Sequence, residues 1–282
     1  MEQTIPQQMH LELQQQLRQE QNDDSANIPV LIERAKAARK LIIDMAATPT
    51  GCHIGGSLSA IDLLIGAYAK YGNDPSSVVI LSKGHAAAGL YAALHVYGII
   101  EENPADSYGA VGSLFTGHPN HKLPGIPFAT GSLGHGIPYA AGWALSQKLK
   151  GSKGVSVVIG GDGELQEGLC WETAQIVQAQ NITNFIYIID INGGQNDGYV
   201  QDISPIRNLR QRFESFGFSV REIDGHNFEE IVDAIEPDMV APLAILASTV
   251  KGKGVAAIEG HPGAHYVKIP TKVAHKWKVS LL

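Results

Sequence analysis

Two rhythms of apolar residues run along this chain. Residues 155–160 and 185–191 are short, almost continuously apolar runs rich in β-branched side chains, and each gives way abruptly to glycine, aspartate and asparagine. Such runs predict buried strands that end in loops. A helix over roughly 165–180 joins them, so the two strands should be parallel neighbours whose loops leave the same carboxyl edge. Upstream, Asn27 and Pro29 announce a helix with Leu31, Ala35, Ala38, Ile42 and Met45 on one face, stopping at Thr48-Pro49. A glycine-rich turn from Gly51 to Ser59 then opens a second helix through Ile61, Leu64, Ile65 and Tyr68. A strand over 78–81, an alanine-rich helix over 86–97, and a helix over 137–149 follow. Beyond residue 198, helices near 206–216 and 228–235 alternate with strands near 218–223 and 243–250. The alternation predicts an α/β fold: a doubly wound, mostly parallel sheet with helices on both faces.

Length and composition narrow the picture. A chain of 282 residues that is 44% hydrophobic can bury a full core, and 28–282 reads as a single domain. Residues 1–27, dominated by Gln and Glu, read as an extension that is flexible or lies on a partner. No stretch has the apolar length of a membrane span, and the N-terminus lacks the pattern of a signal peptide. Cys52 and Cys170 are too few for a disulfide framework, so a reduced, cytoplasmic protein is expected. A net charge of −7 without a basic stripe argues against nucleic acid as the main partner.

The loops carry the candidate chemistry. Asp162, in Gly161-Asp162-Gly163, offers a carboxylate; Asn192, 30 positions later, an amide oxygen; Gly194, a main-chain carbonyl. Together they make a hard oxygen site suited to Mg²⁺, with Ca²⁺ or Mn²⁺ as other ions such a site accepts, and with too few protein ligands to satisfy the ion alone. The competing reading is that Asp-Gly is only a turn. Three of the eleven histidines, His53, His85 and His118, sit in predicted loops, and the last lies in a segment over 98–127 that is long for an idle connection. Gly131, Gly134 and Gly136 open a helix N-terminus, which suits close backbone approach to an anion.

GDG followed by Asn resembles the thiamin diphosphate motif. TGCHIGGSLSAIDLL, LSKGHAAAGLYAAL, TGHPN, ATGSLGHG and GDGELQEGLCWETA, in this order, resemble the diphosphate-binding half of the transketolase family over about residues 28–254. The resemblance implies thiamin diphosphate held through a metal on Asp162, Asn192 and the Gly194 carbonyl, with Gly161 and Gly163 beside it. It implies that Gly131, Ser132 and Leu133 touch the cofactor and that His53, His85 and His118 surround the reacting carbon. His265 stands roughly where the family places another active-site histidine, with His261 as competitor. Glu167 resembles a glutamate at the subunit interface, or is an ordinary first-turn helix acid. Transketolases continue into a second α/β domain that supplies an activating glutamate. The resemblance therefore implies an N-terminal subunit of a split transketolase, working with a separate C-terminal chain in an α2β2 heterotetramer on sugar substrates. Other readings are a specialised split ketolase, a 2-oxoacid dehydrogenase α-like subunit, or a catalytically silent subunit.

Overall fold

The computed structural model describes residues 27–281; the Gln-rich extension lies outside them except for Asn27. Asn27 caps the first helix, α1 (Ile28–Ala46), its side-chain oxygen accepting from the amide of Val30. Then follow α2 (Ile54–Tyr71), β1 (Val78–Leu81), α3 (Ala87–Val96), α4 (Gly136–Leu149), β2 (Ser156–Gly161), α5 (Gly168–Ala179) and β3 (Phe185–Ile191). A small hairpin, β4 (Gly194–Gln195) with β5 (Gly198–Tyr199), leads through α6 (Val200–Ile203) and α7 (Leu209–Ser215) to β6 (Ser219–Asp224). The described chain closes with α8 (Phe228–Ala234), β7 (Leu243–Ser248) and α9 (Thr271–Val279).

Five strands form one sheet in the order β1-β2-β3-β7-β6, every pairing parallel. The winding advances from β1 to β3, jumps to β6 at the edge, and returns with β7 between them. That reversal puts a crevice at the carboxyl ends of β3 and β7, where open α/β sheets bind ligands.

Alternation along the strands feeds two separate cores. Val79, Leu81, Val157, Ile159, Ile186, Ile188 and Ile245 point to one face, packed by α1, α2, α3 and α8. Val78, Ile80, Val158, Phe185, Tyr187, Ile189 and Leu246 point to the other, under Ile137, Ala144, Ala174, Val177 and Phe213. With both faces covered, the strands read as continuous apolar runs rather than alternating ones.

The elements depart from the sequence expectation in several places. The second helix begins at Ile54, so Gly55 and Gly56 are helical rather than part of a turn. A glycine is needed at position 55 because a Cβ there would stand 2.1 Å from the Ala264 carbonyl oxygen. The helix after GDG starts at Gly168, since Gly163–Gln166 first make a 3-10 turn. The helix expected from residue 206 starts at Leu209, behind Asn208 in the left-handed region. The hairpin of β4 and β5, and α9, lie outside the expected elements: two-residue strands and a helix whose only buried residue is Ala274 leave little periodic signal.

Ile245 is fully buried in β7 and Ile176 is exposed on α5. Ile245→Ala is expected to cost about 2–5 kcal/mol by denaturant unfolding, and Ile176→Ala to stay within about 0.5 kcal/mol.

Candidate active site

The carboxyl edge is organised by charges that never reach water. Lys83 lies just past β1 and Asp190 is the next-to-last residue of β3; they are 1% and 0% exposed and form an ion pair across the intervening strand. Lys83 crosses over Gly161, at the end of β2, where a Cβ would stand 3.7 Å from the lysine stem in ordinary van der Waals contact. Burial alone would raise the Asp190 pKa, but Lys83, the Ser59 hydroxyl (2.6 Å) and the Thr249 hydroxyl hold it below the usual carboxylate range. Ser59 lies on α2 and Thr249 follows β7, so this one carboxylate joins four segments.

Asp162 sits just above this pair. Its Oδ1 accepts from the amide of Gly163 (2.8 Å) and its Oδ2 from the amide of Gly193 (2.7 Å), which draws the two loops together. Asn192 donates through Nδ2 to Ser59 Oγ and Asp190 Oδ2, both at 3.2 Å, and its Oδ1 accepts from the amide of Gly194 (3.0 Å). Gly194 opens β4 and packs on the Lys251 side chain. Burial and the neighbouring Asp190 push Asp162 up to about 6. A desolvated carboxylate beside a second one, with an amide oxygen at hand, is a donor set that fits a hard divalent cation. Among the described residues no cluster of three His, Cys, Asp or Glu side chains offers a competing metal site.

Four of the predicted histidines meet above α2. His53, the N-cap residue of α2, has its ring 5.6 Å from His85, 6.0 Å from His118 and 5.1 Å from His265. His85 and His265 are 5.2 Å apart. Burial, with neighbouring His118 and Lys251, lowers His53 to about 4; burial and Lys251 do the same for His265. His85 is held well below the ordinary imidazole value by burial and then by Lys83. These three rings are neutral at neutral pH. His261 is exposed on the preceding turn and joins no ring contact of this cluster.

The loop of Gly131, Ser132 and Leu133 closes the remaining side. Thr130 donates to the Leu81 carbonyl oxygen (2.7 Å), and a Cβ on Gly131 would stand 3.0 Å from the His118 ring. Glu167 lies apart from the histidines: it is exposed, takes the N-cap position of α5 and makes no side-chain cap. It is therefore not the first-turn acid that a helix starting near residue 165 would make it.

Sequence reasoning missed the supports. Glu164 is buried and accepts from Ser82 Oγ (2.6 Å), Gly134 N (2.8 Å) and Gly161 N (3.2 Å), tying three loops to one carboxylate. Lys251 is buried, lowered to about 8 by burial and by Lys83, and its Nζ lies 3.4 Å from His265 Nδ1. A charged residue next to a glycine at the end of an apolar run, as in SKGH, GDGE and VKGKG, was the available signal.

A parallel sheet with an oxygen-donor pair at its carboxyl edge and neutral imidazoles above it defines a cofactor-binding α/β domain. Residues 31–278 match the family model described as transketolase, thiamine diphosphate binding domain. The chain belongs to the transketolase family. It is 38% identical over 252 residues to one of the subunits of an apulose-4-phosphate transketolase from Actinobacillus succinogenes, covering 85% of this chain and 91% of that protein. It is 34% identical over 263 residues to a 6-deoxy-6-sulfo-D-fructose transketolase subunit from a Clostridium species, covering 89% and 94%. The solved transketolase of Campylobacter jejuni superposes with a TM-score of 0.82 at 32% identity; the match covers 90% of this chain and 43% of that one.

Lys83→Met strands Asp190 as a buried, unpaired charge and should destabilise the protein by about 3–5 kcal/mol in chemical denaturation. The histidines set an acid limit. Their folded pKa values lie below the unfolded one, so the stability they contribute is complete above about 6.5 and is lost as pH falls towards about 4. Thermal melts should fall across that window, and His265→Gln should flatten part of the slope.

Proposed function

We propose that this chain is the N-terminal subunit of a split, thiamin diphosphate-dependent transketolase. In this reading it transfers a two-carbon ketol unit from a ketose donor to an aldose acceptor, in a heteromer with a separate C-terminal subunit. The observation that carries the reading is the cluster of His53, His85, His118 and His265 beside the Asp162–Asn192 loops. Relatives matched over nine-tenths of their length and named as transketolase subunits support the division between two chains. An α2β2 assembly, the single-domain reading of 28–282 and a cytoplasmic location belong to the same proposal. The two free, buried cysteines support the location; no described helix is long and apolar enough to cross a membrane.

Bound thiamin diphosphate would supply a carbon nucleophile and an electron sink for breaking the bond beside a ketose carbonyl. The chain's own residues do the rest. Asp162, Asn192 and the Gly194 carbonyl would hold Mg²⁺, while Gly161, Gly163 and the Gly131-Ser132-Leu133 loop let backbone approach the diphosphate. The buried ammonium groups of Lys83 and Lys251 favour an anion there. Neutral imidazoles can accept a proton from a sugar hydroxyl and return it, which a charged ring could not do. Glu167, exposed beside Gly134, is placed in this reading at the contact between subunits.

A specialised sugar substrate is favoured by the names of the two relatives, one for apulose 4-phosphate and one for 6-deoxy-6-sulfo-D-fructose. The test is ketol transfer to ribose 5-phosphate from xylulose 5-phosphate, apulose 4-phosphate or 6-deoxy-6-sulfofructose, with thiamin diphosphate and Mg²⁺. It is run with this chain alone and with its partner. Turnover is expected in the mixture only, and Asp162→Ala should reduce it by at least roughly a hundredfold. Turnover by the lone chain would sink the split-enzyme reading; silence with every donor would sink ketol transfer. Because a ligating carboxylate must be ionised, Mg²⁺ affinity measured by calorimetry in the presence of cofactor should weaken as pH falls below about 6.

A further inference from the structure

Tyr266 is a large aromatic residue left half in the open at the edge of the histidine cluster. It is 51% exposed, yet it is held firmly. The strap that carries it is stitched to the α1–α2 junction at three points. The amide of Gly55 donates to the Ala264 carbonyl (3.1 Å), Cys52 and Val267 exchange amide hydrogen bonds of 3.1 and 2.9 Å, and the amide of Ile269 donates to the Ala46 carbonyl (3.0 Å). The phenol then donates to the Thr50 carbonyl oxygen at 2.6 Å. Its ring meets the His53 ring in a T-shaped contact, with centroids 4.8 Å apart and planes at 83°.

Two facts separate this ring from a simple packing residue. A core aromatic buries its ring and leaves its hydroxyl as the problem to be solved; here the hydroxyl is satisfied and the ring is exposed. Of the rings that meet His53, those of His85 and His265 belong to half-buried residues, whereas Tyr266 and His118 are exposed, so the cluster opens to solvent between Tyr266 and His118. A substrate whose reacting carbon lies among the imidazoles must lead the rest of its carbon chain out through that opening. A rigid, pre-positioned aromatic face costs little entropy to use and suits the C–H face of a sugar.

We infer that Tyr266 is a specificity-determining residue of the sugar channel, its ring being the platform on which the outer carbons of the aldose substrate pack. This rests on the ketol-transfer reading of the same site. The interaction lies away from the reacting carbon and is made alike in bound substrate and transition state, so its removal should raise KM rather than lower kcat.

The experiment uses the complex isolated from cells making both subunits, by a tag on this chain, loaded with thiamin diphosphate and Mg²⁺. Ketol transfer is measured with a two-carbon acceptor, glycolaldehyde, and a five-carbon acceptor, ribose. For Tyr266→Gly the KM for ribose should rise roughly tenfold, with kcat and the KM for glycolaldehyde within about twofold of the parent. Tyr266→Phe keeps the ring and should restore the ribose KM. Unchanged kinetics in Tyr266→Gly would overturn the proposal. So would an equal loss of kcat with both acceptors, which would mean that the ring serves only to hold His53. Saturation-transfer NMR of ribose on the same three complexes reports the contact without turnover: transfer should persist in the parent and the Phe variant and drop in the Gly variant. Equal transfer in all three would overturn the platform. If the parent complex transfers no ketol unit, the reading of the reaction falls, while the NMR comparison still decides the role of Tyr266.

Discussion

The ion pair of Lys83 and Asp190 sets the terms for everything at the carboxyl edge. Two opposite charges removed from water are stable only where their remaining hydrogen-bonding capacity is also met. Asp190 therefore gathers Ser59 from α2, Thr249 from behind β7 and Asn192 from its own loop, and their positions follow from its demand. The loops that would meet cofactor are thus cross-braced from below.

A second buried carboxylate repeats the device on the other side. Glu164 takes three donors from the ends of β1 and β2 and from the loop before α4. Between the two braces lies Asp162, which has backbone donors but no cation of its own among its hydrogen-bond partners. Its carboxyl is raised where that of Asp190 is lowered, and the difference follows from partners: Asp190 holds a lysine, while Asp162 faces Asp190. The edge is rigid around one place that a divalent cation suits.

Above this lies a different regime, in which neutrality matters more than charge. His53, His85 and His265 are crowded, desolvated and set near two ammonium groups, so each gives up its proton. The Nδ1 atom of His53 is buried without a hydrogen-bond partner, and its ring lies edge-on to those of His265 and Tyr266. Cationic support below and uncharged bases above give one crevice two kinds of chemistry.

The sequence by itself determined the alternation of strands and helices, the pairing of Asp162 with Asn192 at one edge, and the placement of His53, His85 and His118 at the connections between elements, His85 in the 3-10 turn that leads into α3. These are local properties: apolar period, glycine punctuation and short motifs with fixed spacing. Only the tertiary structure decided between His265 and His261, since both lie in one irregular segment and a β-bridge from Cys52 to Val267 selects which reaches the cluster. It also decided that Gly55 and Gly56 are helical, and that Lys83, Glu164, Asp190 and Lys251 are buried. The physical reason is the same in each case. A charged residue in a sequence reads as exposed until its partner is known, and here Lys83 finds Asp190 107 positions away and Glu164 finds Gly134 30 positions away, brought together by parallel strands whose order the chain does not spell out.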